Sequence, residues 1–230
     1  IRYIAYLQAY THTYAQPKML RRIYEEALSD PRVLGLAIGA RPDCLAEPVL
    51  SLLEEFAQRT FLWLEMGLQS GNNATLQRMN RGHTVEQYME AARRLKTRHL
   101  RFCSHVIFGL PGDSLGEMEN WAALINEAGA WGVKIHNLYV DRDSSLRLPF
   151  ERGEIPMLTR DVYVDLVIRF LSRLSPKVLI HRLMGEAPPD RLIAPEWAAN
   201  KQDFLRCLEH EMERRNVWQG CEVARQRISP

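Results

Sequence analysis

The chain has 230 residues, 46% of them hydrophobic and 25% charged, which is enough apolar material for a large core and excludes disordered, collagen-like or mucin-like classes. The net charge of +2, from 30 Lys and Arg against 28 Asp and Glu, predicts no general attraction to nucleic acid or a membrane surface. No apolar run approaches the roughly 18–20 residues of a spanning helix.

The chain opens directly on a strand, Tyr3–Gln8, with no initiator Met and no signal peptide, so the expectation is a fragment of a longer protein. Lys18–Leu28 then reads as a helix, with Met19, Leu20, Ile23, Tyr24, Ala27 and Leu28 on one stripe. The alternation continues with a strand at Val33–Gly39, a helix at Glu47–Gln58, a strand at Phe61–Gly67 and a helix at Val85–Arg98. A strand at Leu100–Gly109, a helix at Gly116–Ala130 and a strand at Val133–Val140 follow. Beyond the long connection Asp141–Leu158 come a helix at Arg160–Leu174, a strand at Lys177–Arg182, a proline-rich loop at Gly185–Trp197 and a helix at Asn200–Arg214.

Most of the strands are continuous apolar runs, as parallel strands covered on both sides require. Serial βα units close into a barrel or a doubly wound sheet. No GxGxxG follows the first strand, and polar residues stand at nearly every strand's C-terminal end, so an α/β barrel or partial barrel is favoured. The expected division is a barrel over residues 1–175, with a C-terminal strand and helical extension, 176–230, packed on it. Four cysteines, Cys44, Cys103, Cys207 and Cys221, form no CxxC pair and point to a reducing, cytoplasmic setting.

Chemistry in such folds gathers where strands end. Those positions are Gln8–Tyr14, Arg41-Pro42-Asp43, Glu65 with Gln69-Ser70, His105 with Gly109-Leu110-Pro111-Gly112, His136-Asn137 and His181-Arg182. Arg41-Pro42-Asp43 also reads as a simple turn. Glu65 interrupts the apolar run Phe61–Leu64 and needs a partner when buried, either a ligand hydroxyl or a neighbouring arginine, with Arg41 as the internal candidate. In Gly67-Leu68-Gln69-Ser70-Gly71, glycine permits close approach and the Gln69 amide offers donor and acceptor. Thr84 reads as a helix cap with Gln87 three residues on, which leaves Arg81 and His83 unexplained. His105, His136 and His181 are each expected to be hydrogen-bonded histidines, with a shared metal as the alternative, although no HxH or HExxH spacing is present. Cys103, in mid-strand, reads as a small core residue.

Taken together, several segments resemble the radical S-adenosylmethionine (radical SAM) superfamily, and within it a bacterial group related to the elongator catalytic subunit. They are Ala5–Tyr14, Ile38–Cys44, Leu64–Ser70, Asn80-Arg81-Gly82-His83, His105–Gly112, Lys134–Leu138, Ile180–Leu183 and Ala194–Trp197. Oxygen-independent coproporphyrinogen oxidases are more distantly similar. The resemblance implies a partial TIM-type (β/α)6 barrel lacking its first strand and cluster loop. It implies S-adenosylmethionine bound on a [4Fe–4S] cluster, a reducing electron donor, and a 5′-deoxyadenosyl radical that takes a hydrogen from an unknown substrate. By motif, Gln69 and Arg81 would meet the ribose or methionine portion, with Glu65 and Asp43 as further polar contacts. Ile107 and Gly109 would line the adenine site, His136, Asn137 and Leu138 would offer backbone contacts, and Gln8–Thr11 would face the methionine amino and carboxylate groups.

The family's CxxxCxxC cluster motif is absent; the resemblance places it upstream of Ile1, so the chain as given is expected to be inactive and to bind the cofactor weakly. The elongator kinship raises tRNA as a possible substrate; no membrane partner is expected. Two other readings stand beside this one. One is a degenerate barrel serving as a non-catalytic binding module. The other is a hydrolase barrel with His105, His136, His181 and Glu65 or Asp43 around zinc.

Overall fold

A computed structural model describes residues 1–8 and 10–226. In chain order it contains β1 (Tyr3–Leu7), α1 (Pro17–Ala27), β2 (Val33–Ala40), α2 (Glu47–Arg59), β3 (Phe61–Gln69), α3 (Asn73–Arg78), α4 (Val85–Thr97) and β4 (Arg101–Phe108). These are followed by α5 (Leu115–Ala128), β5 (Gly132–Asn137), β6 (Val140–Asp141), α6 (Arg147–Glu151), α7 (Arg160–Arg173), β7 (Leu179–Arg182), β8 (Leu192–Ala194), α8 (Lys201–Arg215) and α9 (Cys221–Gln226). Local chemistry sets the helix starts. Pro17 opens α1, where its missing N–H costs nothing. Thr84 with Gln87 and Ser114 with Glu117 form reciprocal capping boxes at α4 and α5.

Six strands pair in the order β1-β2-β3-β4-β5-β7, every pair parallel, with neighbours in chain order. The sheet is curled into a half-barrel. In a flat sheet β1 and β5 would lie about 19 Å apart, four strand spacings. Here Lys134 Nζ on β5 lies 3.3 Å from the Tyr6 hydroxyl on β1 and 4.7 Å from the centre of its ring. The barrel alternative therefore holds over the doubly wound sheet.

The strands have two distinct faces. On the outer face Leu36, Ile38, Leu62, Leu64, Phe102, Val106, Phe108, Val133 and Ile135 are buried in one cluster with helix residues such as Tyr24, Phe56, Tyr88, Ile125 and Phe170. The inner face is polar at mid-barrel and aromatic below. Phe61, Trp63, Trp131 and His181 make ring contacts at centroid distances of 5.0 to 6.1 Å and plug the N-terminal end of the strands. The apolar runs conceal this alternation, because every second residue on β3 to β5 points inward.

One expectation is corrected, and three short helices are added. The single strand Val133–Val140 is divided: the Leu138 N–H still bonds Phe108 O, but from Val140 the chain pairs antiparallel with β8 in a separate two-stranded sheet. The short helices α3, α6 and α9 had no legible periodicity at five or six residues each. Leu179–Arg182 joins the main sheet beside β5. Among the described residues no helix is long and apolar enough to cross a membrane.

Candidate functional site

A polar cavity of about 180 Å³ opens at the C-terminal end of the half-barrel. Its lining includes Gln8 from the end of β1, Arg41 beyond β2, Glu65, Gly67 and Gln69 from β3, Arg81 from the α3–α4 loop, and His105 from β4. Lys134 and His136 from β5 and Arg182 from β7 complete the far wall. Thus Gln8, Glu65, Gln69, Arg81 and His136, picked from separate stretches of sequence, share one cavity. Ala9, within the expected Gln8–Thr11 contact segment, lies outside the described residues.

Glu65 is the buried anion at the cavity's base. Lys134 Nζ and Trp63 Nε1 donate to its Oε1 at 2.5 and 2.9 Å, and His105 Nε2 donates to its Oε2 at 2.5 Å. Burial alone would raise its pKa, but the bonds and charge from His105, with those from Lys134 and Trp63, outweigh that and hold it at about 2. The arginine expected to satisfy Glu65 is otherwise engaged: Arg41 Nε and Nη2 donate to Asp43 at 3.0 and 2.8 Å. That pair is formed within the 3₁₀ turn Pro42–Cys44, two residues being a shorter reach than the barrel interior. Lys134 is the partner the sequence reading missed. The signal was present, because in Val133-Lys134-Ile135-His136 the polar residues alternate and so face one side of a strand.

Above this base sits Gln69. It ends β3 at φ 68°, in the left-handed region, where a register shift bulges the strand against β4. The turn folds its amide back over Gly67: a Cβ on Gly67 would lie 2.2 Å from Gln69 Nε2 and 3.3 Å from Arg81 Nη2. Only glycine leaves room for both groups. The Arg81 Nε is buried without a partner, and burial lowers the pKa of the guanidinium. His83 is explained structurally, its ring nitrogens lying 3.3 and 3.4 Å from the carbonyls of Arg81 and Leu68.

His136 faces the cavity with its ring 5.5 Å from that of His105 and its Nε2 buried and unpartnered. Burial, followed by the charge of His105, drives its pKa down to about 3, so it stands neutral.

Five expected site residues lie apart from the cavity lining. Asp43 is spent on Arg41. The Asn137 Oδ1 accepts the Gly185 N–H at 2.9 Å and anchors the Gly185–Trp197 loop. Gly109, at φ 92°, is covered by Leu158 and Leu138, the latter turned toward it. Ile107 pairs with His136 in the sheet but does not border the opening.

The three histidines do not form one metal set. Among the described residues the convergent ligand atoms belong to Glu65, Cys103 and His181, all within 4.8 Å of one another. His181 reaches there because Gly132 has no side chain; a Cβ would stand 2.6 Å from His181 Nε2. The Lys134 ammonium already sits on the Glu65 carboxylate, and burial, with Glu65 adding to it, pushes the Cys103 thiol well up. Both oppose a cation, and nothing supports the zinc hydrolase reading.

The residues present do not fit a [4Fe–4S] cluster: the sequence has no CxxxCxxC, and its four cysteines lie on the 3₁₀ turn, β4, α8 and α9. They do fit a polar, carboxylate-bearing cofactor, because Arg81 and His136 bring buried unpartnered nitrogens to the cavity.

Residues 2–125 match the Radical SAM superfamily, and residues 130–214 match the Radical_SAM C-terminal domain. The uncharacterized protein YtqA of Bacillus subtilis (strain 168) is 36% identical over 219 residues, covering 95% of this chain and 68% of that protein. A tRNA uridine(34) acetyltransferase of Methanocaldococcus infernus is 29% identical over 163 residues, 68% of this chain and 29% of its own length. Among solved structures, the archaeal Methanocaldococcus infernus Elp3 with an N-terminal deletion superposes with a TM-score of 0.72 at 22% identity. That match covers 88% of this chain and 46% of that one, and it supports the half-barrel fold.

Proposed function

The chain belongs to the radical SAM superfamily, and from that membership we propose that its cavity is the S-adenosylmethionine site of an enzyme that abstracts hydrogen from its substrate. The observation carrying this reading is the convergence of Gln8, Glu65, Gln69, Arg81 and His136 on one cavity at the C-terminal ends of the strands. Held by Gln8, Gln69 and Arg81, S-adenosylmethionine would, on one-electron reduction, break its sulfonium C–S bond to give methionine and a radical able to take a hydrogen atom from a substrate. The chain's own residues bind and orient. Gln69, folded over Gly67, and Arg81 beside it hold the ribose or the methionine end, and Gln8 meets the methionine head from β1. Neutral His136 stands on the far wall with its Nε2 left open, so no cofactor contact is assigned to it. Ionised Glu65 keeps Lys134 and His105 fixed beneath the ligand, and the aromatic plug of Phe61, Trp63, Trp131 and His181 keeps bulk water from entering below.

A [4Fe–4S] cluster and its electron donor belong to the proposed whole enzyme. The tRNA named for the Methanocaldococcus infernus relative supports tRNA as the substrate class, and the unpaired cysteines support a cytoplasmic setting. Calorimetric titration with S-adenosylhomocysteine, which has the same nucleoside and amino-acid ends, tests the site directly. Gln69→Ala and Arg81→Gln are each expected to weaken binding about tenfold, the worth of one charge-assisted or well-placed hydrogen bond. Unchanged affinity in both variants overturns the placement.

A further inference from the structure

The cavity holds more positive charge than the proposed cofactor can match. Four fixed cations line it, Arg41, Arg81, Lys134 and Arg182. Arg41 is paired with Asp43 and Lys134 with Glu65. Arg81 and Arg182 have no ion pair and no side-chain hydrogen bond among the described residues. Glu186 lies close enough to feel the charge of Arg182, but its carboxylate is bonded to Lys201. A buried guanidinium nitrogen without a partner is costly, which is the state of Arg81, and half-buried Arg182 turns unpaired donors into the same cavity, so each offers a place for an anion.

The two stand on opposite walls. Arg81 reaches over Gly67 on β3, whereas Arg182 ends β7, three strand spacings or about 14 Å along the curved sheet. S-adenosylmethionine brings one carboxylate together with an ammonium and a sulfonium, a net charge of +1. Its carboxylate satisfies one guanidinium at most. On the proposed cofactor placement that one is Arg81, and Arg182 is left over. Arg182 is paired in register with Lys134, and its charge is felt by His136, whose buried Nε2 supplies a neutral hydrogen bond on the same wall.

We infer that Arg182, with His136 beside it, is the docking point for an anionic group of the substrate, a carboxylate or a phosphate. This rests on the cofactor reading for the choice of wall. A guanidinium fork accepts either oxyanion in two parallel hydrogen bonds, which fixes orientation as well as charge. The anion would thereby hold the substrate against β5 and β7, facing the cofactor end of the cavity across Glu65.

The test titrates inorganic phosphate, and separately acetate, into the protein saturated with S-adenosylhomocysteine at constant ionic strength, with Trp63 and Trp131 fluorescence and calorimetry as readouts. Saturable binding is expected for at least one anion, weakened about tenfold or more in Arg182→Gln and retained within a few-fold in Arg182→Lys. S-adenosylhomocysteine affinity should be the same in all three proteins. Absence of saturable binding, or equal binding in Arg182→Gln, overturns the proposal. So does an Arg182→Gln protein that loses S-adenosylhomocysteine but keeps 5′-methylthioadenosine, which lacks the carboxylate, because the anion would then be the cofactor's own. If S-adenosylhomocysteine does not bind the wild-type protein, the cofactor reading fails separately; the anion titrations run without it still read Arg182. Arg182→Lys guards against a variant that merely misfolds.

Discussion

Lys134 and Glu65 stand on strands separated by the whole of β4, yet the lysine ammonium lies 2.5 Å from the carboxylate. The two side chains share the inner face and meet across β4, and the curl of the sheet lets Lys134 reach on to Tyr6 of β1 as well. Both side chains are nearly dry, 11% and 2% exposed. A buried pair adds little over an apolar substitute, whereas stranding one member is expensive.

Glu65→Gln is therefore expected to cost about 3–5 kcal/mol in urea unfolding, since the amide leaves the ammonium uncompensated. Lys134→Met strands the carboxylate and should cost a similar amount. The double variant removes both charges and should recover part of the loss, with a coupling energy above about 1 kcal/mol. Strict additivity would mean that the pair contributes nothing beyond its separate neighbours.

Stability should fall on acidification in two stages. His136 has a folded pKa of about 3, below its ordinary 6.5, so between those values the unfolded chain binds the extra proton and unfolding gains. From pH 6.5 to 4.5 this removes roughly 2.3 kcal/mol, the slope approaching about 1.4 kcal/mol per pH unit below 6.5, and His83 and His181, also lowered by burial, act in the same direction. Glu65 behaves as a depressed carboxylate: its stabilisation is complete above 4.5 and is lost as pH drops toward 2. Urea unfolding of His136→Gln at pH 7.5, 5.5 and 4.5 should show a flatter upper stage, and that of Glu65→Gln at about pH 4.5, 3.5 and 2.5 a flatter lower one. Parallel curves for wild type and His136→Gln would show that His136 is not buried neutral.

The strands and long helices were legible because their period is set locally. All six strands of the main sheet were placed within a residue or two, apart from the overrun past Asn137. What the sequence concealed was the curl. Strand ends such as Gln8, Gln69 and His136 can be found one at a time, but which of them face one another depends on side chains crossing the barrel. Hence Glu65 was given Arg41, near in the sheet, when its partners are His105 on the next strand and Lys134 beyond it. Asn137 looked like a site residue because it ends a strand, and only the loop that returns to it at Gly185 shows its amide engaged in structure. The resemblance puts Gly109 at the adenine site, whereas Leu158, 49 positions later, covers it.

Gly132→Ala tests the barrel floor. The new methyl would meet His181 Nε2 and Cδ2 at 2.6 and 2.8 Å, so the ring must leave its edge contact with Trp131. The expected cost is about 1–3 kcal/mol, typical of overpacking. The His181 pKa, now lowered by burial, should return upward toward 6.5 as the ring moves to water. A proton NMR titration of the imidazole reads this, and an unmoved His181 pKa would show that the ring does not occupy the space over Gly132.

Gly67→Ala separates binding from stability at the opposite end of the barrel. The added Cβ displaces the Gln69 amide, at 2.2 Å, and crowds Arg81 Nη2, at 3.3 Å. Both obstacles are tips of flexible side chains, so the fold should tolerate the change within about 1 kcal/mol. The cofactor site should not, because the same two tips are the groups assigned to the ribose or methionine end. S-adenosylhomocysteine affinity is expected to drop about tenfold, with an unfolding midpoint close to wild type. A destabilised protein that still binds normally would reverse the assignment, making Gly67 a packing residue and leaving Gln69 and Arg81 without a ligand.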